Sequence, residues 1–272
     1  MSLWPDTRIL ELFNIEHPIL HAPMAGATGS TMAIAVAHAG GLASLPCAML
    51  TLDQIRDEVA VFRENSHAPL NLNFFCHQPP PFDAEQAERW KRALKPYYEE
   101  LGADYEAPTP VSNRAPFDSD SCALVERLKP EVVSFHFGLP EQALLDRVRA
   151  TGAKIIASAT TVQEALWLEL RGCDAIIAMG YEAGGHRGLF LSDQLDTQVG
   201  TFALVPQIAD AVSVPVIAAG GIADGRGVAA AFVLGASAAQ VGTAYLFCPE
   251  AKVSAPHRQA LGTARDSETA VT

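Results

Sequence analysis

The stretch KIIASATTVQEALWLELRGCDAIIAMGYEAGGHRG, residues 154–188, reads as strand, helix, strand and glycine-rich loop in succession. The apolar run from Lys154 to Ala159 has the length and composition of a buried strand. Thr161 to Leu170 carries helix formers and closes on Gly172 in the manner of a C-cap, and Ala175 to Gly180 returns to a strand. Strands separated this widely suit a parallel crossover rather than a hairpin.

The same rhythm extends in both directions. Further strand-like runs lie at Pro18 to Ala22, Gly41 to Pro46, Leu70 to Phe75, Val132 to Gly138, Pro215 to Gly220 and Ala239 to Phe247, which makes eight in all. Helical stretches fall between them at Thr31 to Ala39, Leu52 to Glu64, Pro140 to Ala150 and Arg226 to Leu234, with Gly40, Gly152 and Gly235 as stops. Eight β/α units predict an α/β fold, the closed (β/α)8 TIM barrel. A doubly wound open sheet is the competitor, but no GxGxxG stands at the first strand-to-helix turn. A chain of 272 residues, 49% hydrophobic, fills one such barrel of roughly 250 residues, so residues 1–272 are read as a single domain.

Two stretches depart from the rhythm. Residues 76–131 form an excursion after the third strand, with a Pro-rich start (Pro79, Pro80, Pro81), a helix from Asp83 to Leu101 bearing Trp90, Tyr97 and Tyr98, and an irregular stretch over 105–118. Emerging on the catalytic face, it reads either as a lid or as a decorated crossover with its aromatics packed on the barrel wall. From Pro256 the chain starts as a helix and then turns polar, which leaves little for a full eighth helix and suggests a short or truncated C-terminal element.

The net charge of -12 is spread along the chain, and Lys and Arg form no basic stripe, which argues against a nucleic-acid partner. Five widely spaced cysteines without a CxxC pair read as reduced thiols in a cytoplasmic protein. No apolar run approaches the roughly 20 residues of a membrane span. The sequence sets no oligomeric state.

Chemistry in such barrels sits at the C-terminal strand ends. The first strand ends in HAPMAG (21–26), where small residues let a flat ligand approach the backbone. In VVSFHFG (132–138), alternation places Ser134 and His136 inside the barrel and Val133, Phe135 and Phe137 against the helices. The sixth strand runs into MGYEAGGHRG (179–188), whose Gly184–Gly185 pair delivers His186 to the pocket mouth beside Arg187. An imidazole there suits proton transfer near neutral pH. The loops after strands seven and eight, AAGGIADGRG and QVGTAYLF, are placed to hold a phosphate, with Asp224 positioned to cap the intervening helix. No metal-ligand spacing and no GxSxG elbow is present.

Taken together, HPILHAPMAG, NLNFF, SFHFG, GYEAGGHRG, AAGGIADGRG and QVGTA resemble the nitronate monooxygenase family, formerly the 2-nitropropane dioxygenases, and within it the bacterial class I branch. The resemblance implies FMN bound without covalent attachment and oxidation of alkyl nitronates, such as propionate 3-nitronate, by O2 to a carbonyl compound and nitrite. It places the isoalloxazine near Ala22, Pro23 and Met24 with Asn73 beside it. Gly184, Gly221, Gln240, Val241, Gly242 and Thr243 would hold the ribityl phosphate end. His186 matches the family's catalytic histidine, and His136 matches a second histidine associated with substrate. Where many members have Gln, this chain has Met179, which cannot donate to a flavin carbonyl. Three other readings remain open: an NAD(P)H-dependent quinone or enoyl reductase, a non-catalytic flavin-binding protein, and a flavin-free aldolase or isomerase. The last lacks a suitable lysine, since Lys154 starts its strand.

Overall fold

Among the described residues, eight short strands, all parallel, are joined by crossings over the outside of the sheet. The computed structural model describes residues 4–79, 81, 83–108 and 115–270. In chain order the elements are α1 (Arg8–Phe13), β1 (Ile19–His21), α2 (Ser30–His38), β2 (Ala43–Pro46), α3 (Leu52–Asn65), β3 (Leu70–Phe75), α4 (Ala84–Leu101), α5 (Ser119–Leu128) and β4 (Val132–His136). There follow α6 (Gln142–Ala150), β5 (Lys154–Ala159), α7 (Val162–Leu170), β6 (Ala175–Met179), α8 (Thr201–Ala211), β7 (Val216–Ala219), α9 (Gly225–Val233), β8 (Ala238–Val241) and α10 (Ala255–Thr263).

Sequential strands pair from β2 through β8, and β8 pairs β1. The ring closes between β1 and β2 through one bridge, Leu20 to Leu42. There the Leu42 N–H donates to the Ile19 carbonyl at 3.0 Å and the His21 N–H to the Leu42 carbonyl at 3.0 Å. The barrel expected from the eight units is the fold observed.

Alternation sorts the side chains into two cores. Val133, Phe135, Ile155, Ala157, Ile176 and Ala178 face the helices. Leu20, Leu42, Val132, Ile156, Ala175, Ile177 and Ile217 fill the interior, and Ile9 and Phe13 of α1 join this interior core, α1 lying ahead of the first strand. Inward positions nearer the C-terminal strand ends turn polar, with Asn73, Ser134 and Ser158 all buried. That gradient sets the chemistry at the opposite end from α1.

Local rules account for the helix starts. Thr51 and Gln54 form a capping box on α3, and Asp118, Thr161 and Asp224 cap α5, α7 and α9. The strand expected over Ala239 to Phe247 is shorter: β8 stops at Val241 and Thr243–Phe247 is a 3-10 turn. Three helices carry no expectation from the sequence, namely α1, α5 and α8. Within the 76–131 excursion, α5 buries Cys122, Leu124 and Val125 and is the barrel helix of the third unit. By contrast α4 buries none of its residues, and Trp90 and Tyr97 are 62% and 60% exposed, so these aromatics do not pack on the wall. Pro80 and residues 109–114 of the irregular stretch lie outside the described residues.

After β8 come the 3-10 turn and α10, none of whose residues is buried. Trp4, Pro5, Ile19, Val228, Phe232 and Val233 line an open apolar groove of about 670 Å³ on the outer wall. Among the described residues no helix is long and apolar enough to cross a membrane.

Candidate active site

The mouth of the barrel has two unlike halves. One is built from the ends of β1, β7 and β8 and from the glycines of the loop after β6. A Cβ placed on Gly242 would meet the Ala22 Cβ at 3.5 Å and the Met24 Sδ at 3.7 Å, and one on Gly184 would come nearest the Thr243 Oγ1 at 3.9 Å. Ala22, Met24, Gly184, Gly242 and Thr243, dispersed in sequence, therefore converge on one cradle. The Ala22 N–H donates to the Val241 carbonyl at 2.9 Å, which ties the two strand ends together. Pro23 lies between Ala22 and Met24. Alternation along β8 points Gln240 inward and Val241 outward, so Val241 contributes its backbone.

The glycine after β7 is a strict requirement. Gly220 has φ 117, and a Cβ there would stand 2.6 Å from the Thr201 Oγ1 and 2.9 Å from the Ala183 backbone nitrogen. Gly221 follows at φ 70. The backbone N–H groups of Gly221, Ile222, Gly242 and Thr243 donate to no acceptor among the described residues. By contrast the first turn of α9 is already served, because Asp224 accepts from Arg226 N and Gly227 N. An anionic group thus fits the loop N–H groups better than the capped helix end.

The other half is built from side chains. Asn73, buried on β3, donates to the Ser134 Oγ at 3.0 Å across the strand pair. His136, at the end of β4, lies with Nδ1 2.6 Å from the Ser158 Oγ on β5. Met179 ends β6, buried beside it, and a Cβ on Gly188 would stand 2.7 Å from the His136 Cε1 and 3.2 Å from the Met179 Sδ. The loop after β6 brings His186, exposed, over this group.

Aromatic rings connect these parts. The Phe75 ring lies 5.6 Å from that of His136 and 5.4 Å from that of His186. Phe137 lies 4.3 Å from His136 and 5.9 Å from His186, and His77 packs edge-on against both phenyl rings. Phe137 was expected to face the helices with Val133 and Phe135. Instead β4 ends at His136, and Phe137 takes φ 67, a left-handed conformation costly for a bulky residue. That turn swings its ring into the mouth.

Two carboxyl groups and a guanidinium hold the loop carrying His186. Glu164, 1% exposed, accepts from Thr160 N and Oγ1 at 2.7 and 2.8 Å and from Phe190 N and Leu191 N at 2.8 and 3.3 Å. Glu182 accepts from Thr201 N and Oγ1 at the start of α8. Arg187 donates to the carbonyls of Tyr181 and Ala183 within its own loop. None of these tethers stands out in the sequence. Each carboxyl is one acidic residue among many until the fold brings its donors to it.

Burial pushes the His136 imidazole down to about 4, with His186 and Arg187 adding to the effect and a backbone hydrogen bond with His186 opposing it. The ring is therefore neutral at physiological pH. Among the described residues no group of three His, Cys, Asp or Glu side chains is placed to hold a metal ion. Lys154 sits at the start of β5 with Asp174 4.0 Å away, far along the strand from this mouth.

A parallel eight-stranded barrel with open backbone N–H groups on one side of its mouth and an imidazole loop on the other is the arrangement of a barrel enzyme working at the C-terminal strand ends. Comparison with known proteins is specific. A family model described as nitronate monooxygenase matches residues 6–272. The nitronate monooxygenase of Paraburkholderia phytofirmans is 44% identical over 256 residues, spanning 93% of this chain and 69% of the relative. That of Pseudomonas aeruginosa is 41% identical over 268 residues, 97% of this chain and 76% of the relative. A solved structure of nitroalkane oxidase from Streptomyces ansochromogenes superposes with a TM-score of 0.84 at 35% identity, covering 93% of this chain and 72% of that one. The chain belongs to the nitronate monooxygenase family, whose members are flavin-dependent oxidoreductases acting on nitronates.

Proposed function

We propose that this protein oxidises alkyl nitronates, propionate 3-nitronate among them, with O2 at a bound FMN, releasing a carbonyl compound and nitrite. The observation that carries this reading is the meeting of His186 with the glycine cradle across one mouth: Gly184, two residues before His186, faces Thr243 at the end of β8. Ala22, Pro23, Met24 and Asn73 would flank the isoalloxazine. Gly184, Gly221, Gln240, Val241, Gly242 and Thr243 would hold the ribityl phosphate end, and the unclaimed loop N–H groups match the acceptors a phosphate offers. When bound, FMN supplies the electron acceptor and the route to O2.

His186 has two uses in this scheme. Protonated, its ring holds the anionic nitro oxygens of the nitronate. Neutral, a ring nitrogen takes the proton from the α-carbon of a nitroalkane. Phe75 and Phe137 give the substrate an apolar wall and exclude water from the reacting carbon. Met179, buried beside His136, offers no hydrogen to a flavin carbonyl, so that contact falls to other donors of the mouth.

The test is an absorption spectrum of the purified protein, followed by anaerobic addition of a nitronate and then nitrite release in air. A flavin spectrum that changes with the nitronate, with nitrite formed on aeration, supports the reading. Absence of flavin, or rapid anaerobic bleaching by NADH or NADPH with no response to nitronates, overturns it in favour of a binding protein or a reductase.

A further inference from the structure

We propose that Ser158 is a positioning residue for this reaction, and that with His136 it forms a strut that sets the His186 loop rather than a contact for substrate. This rests on the assignment of His186 to the chemistry.

The strut can be followed atom by atom. Ser158 points inward from β5, 4% exposed, with its Oγ 2.6 Å from the His136 Nδ1. That bond fixes which edge of the imidazole faces the loop. The ring's Cε1 lies where a Cβ on Gly188 would come within 2.7 Å, so the loop backbone rests directly on His136. Only a glycine at position 188 permits this approach. His136 also shares a hydrogen bond with the backbone of His186, two residues earlier in the same loop. Phe137 and Phe75 pack on both imidazoles, filling the space beside the strut.

Two properties separate this arrangement from a substrate site. A hydroxyl on Nδ1 and the loop backbone on the ring engage His136 within the protein. The ring is also held neutral, a poor partner for an anionic nitronate beside His186, which is the exposed imidazole of the pair. The rest of the loop is moored on its far side by Glu164, through Phe190 N and Leu191 N. Two restraints thus follow His186 closely along the chain, the His136 ring against Gly188 and Glu164 at Phe190 and Leu191. Removing the hydroxyl of Ser158 frees the restraint nearer to His186, because His136 can then turn about its own side-chain axis.

Ser158→Ala separates the alternatives. A positioning role predicts kcat lowered about tenfold, the equivalent of one hydrogen bond, with KM within about twofold of wild type. A substrate-binding His136 predicts the reverse, a raised KM with kcat retained. An independent measurement needs no turnover: in protein labelled with nitrogen-15 at histidine, Ser158→Ala should shift the His186 ring signals although that residue is untouched. Titration of wild type with 1-propyl nitronate under anaerobic conditions should move His186 and leave His136 in place. Unmoved His186 signals in the variant, or a His136 signal that moves with the nitronate, overturns the strut. These readings hold even if nitrite is never released, an outcome that would count against the proposed reaction alone.

Discussion

The two halves of the barrel mouth are made from different materials. Around β4, β5 and β6, side chains do the positioning: His136 on Ser158, Glu164 on the loop after β6, two phenyl rings across two imidazoles. Around β1, β7 and β8, the backbone does it, with Ala22, Gly220, Gly221 and Gly242 removing bulk so that N–H groups stand open. A cofactor large enough to touch many groups can be held by backbone, where any one contact is dispensable. A small substrate that meets a single imidazole needs that imidazole placed closely, and only interlocked side chains supply such placement.

The contrast can be broken at several points. The largest effect belongs to His186→Asn, which should cost between about a hundredfold and ten-thousandfold in nitrite formation while the protein keeps its flavin spectrum. Loss of the flavin with the activity would show that the halves are not separable. Next comes Glu164→Ala. It strips four donors of a buried acceptor and should lower unfolding free energy by about 4 kcal/mol in denaturant titration, loosening the His186 loop before the cradle.

The pH dependence comes third. Burial holds His21, fully enclosed and edge-on to Tyr245, down to about 4 against an ordinary 6.5. Between those values the unfolded chain binds a proton that the folded one does not. Stability is therefore complete above about pH 6.5 and falls as pH drops towards 4, by about 3 kcal/mol from this residue. His136 acts in the same direction. Unfolding measured at pH 7 and pH 4.5 should show the loss, and His21→Leu should flatten it. An unchanged slope in that variant would refute the assignment. The smallest of the four is Gly220→Ala, whose Cβ would collide with Thr201 and with backbone at Ala183; a loss of about 2 kcal/mol of stability and weaker flavin retention are expected, by thermal melt and flavin release.

Much of this architecture was legible along the chain, for a physical reason. Strand runs such as Leu70 to Phe75 and Lys154 to Ala159 are bounded by turn residues and fall where the structure puts β3 and β5. The glycine loop after β7 announces a close backbone approach, because a side chain at Gly220 would collide with Thr201 and Ala183. Ser158 gave no signal, since its partner comes from another strand 22 residues earlier and a serine in a strand is unremarkable in isolation. Glu164 was hidden among helix formers until Phe190 and Leu191 fold over it. Phe137 misled because period-two alternation holds only inside a strand, and the strand ends one residue before it. The strand read into Thr243–Phe247 failed likewise: β-branched and aromatic composition is equally at home in a 3-10 turn once the ladder stops.

Seven of the barrel's eight seams are ladders, and the eighth, between β1 and β2, is a single bridge at Leu20 and Leu42. A ring opens first at its thinnest link, so breathing of the whole cylinder should be concentrated there. The amides of His21 and Leu42 should then exchange with deuterium faster than those of Phe135 and Ile156 deep in the β3–β4–β5 ladders. β1 runs directly into Ala22, Pro23 and Met24, so the thinnest seam lies beside the cradle. Slack in β1 should therefore reach the cradle before it reaches the interlocked side chains around His136.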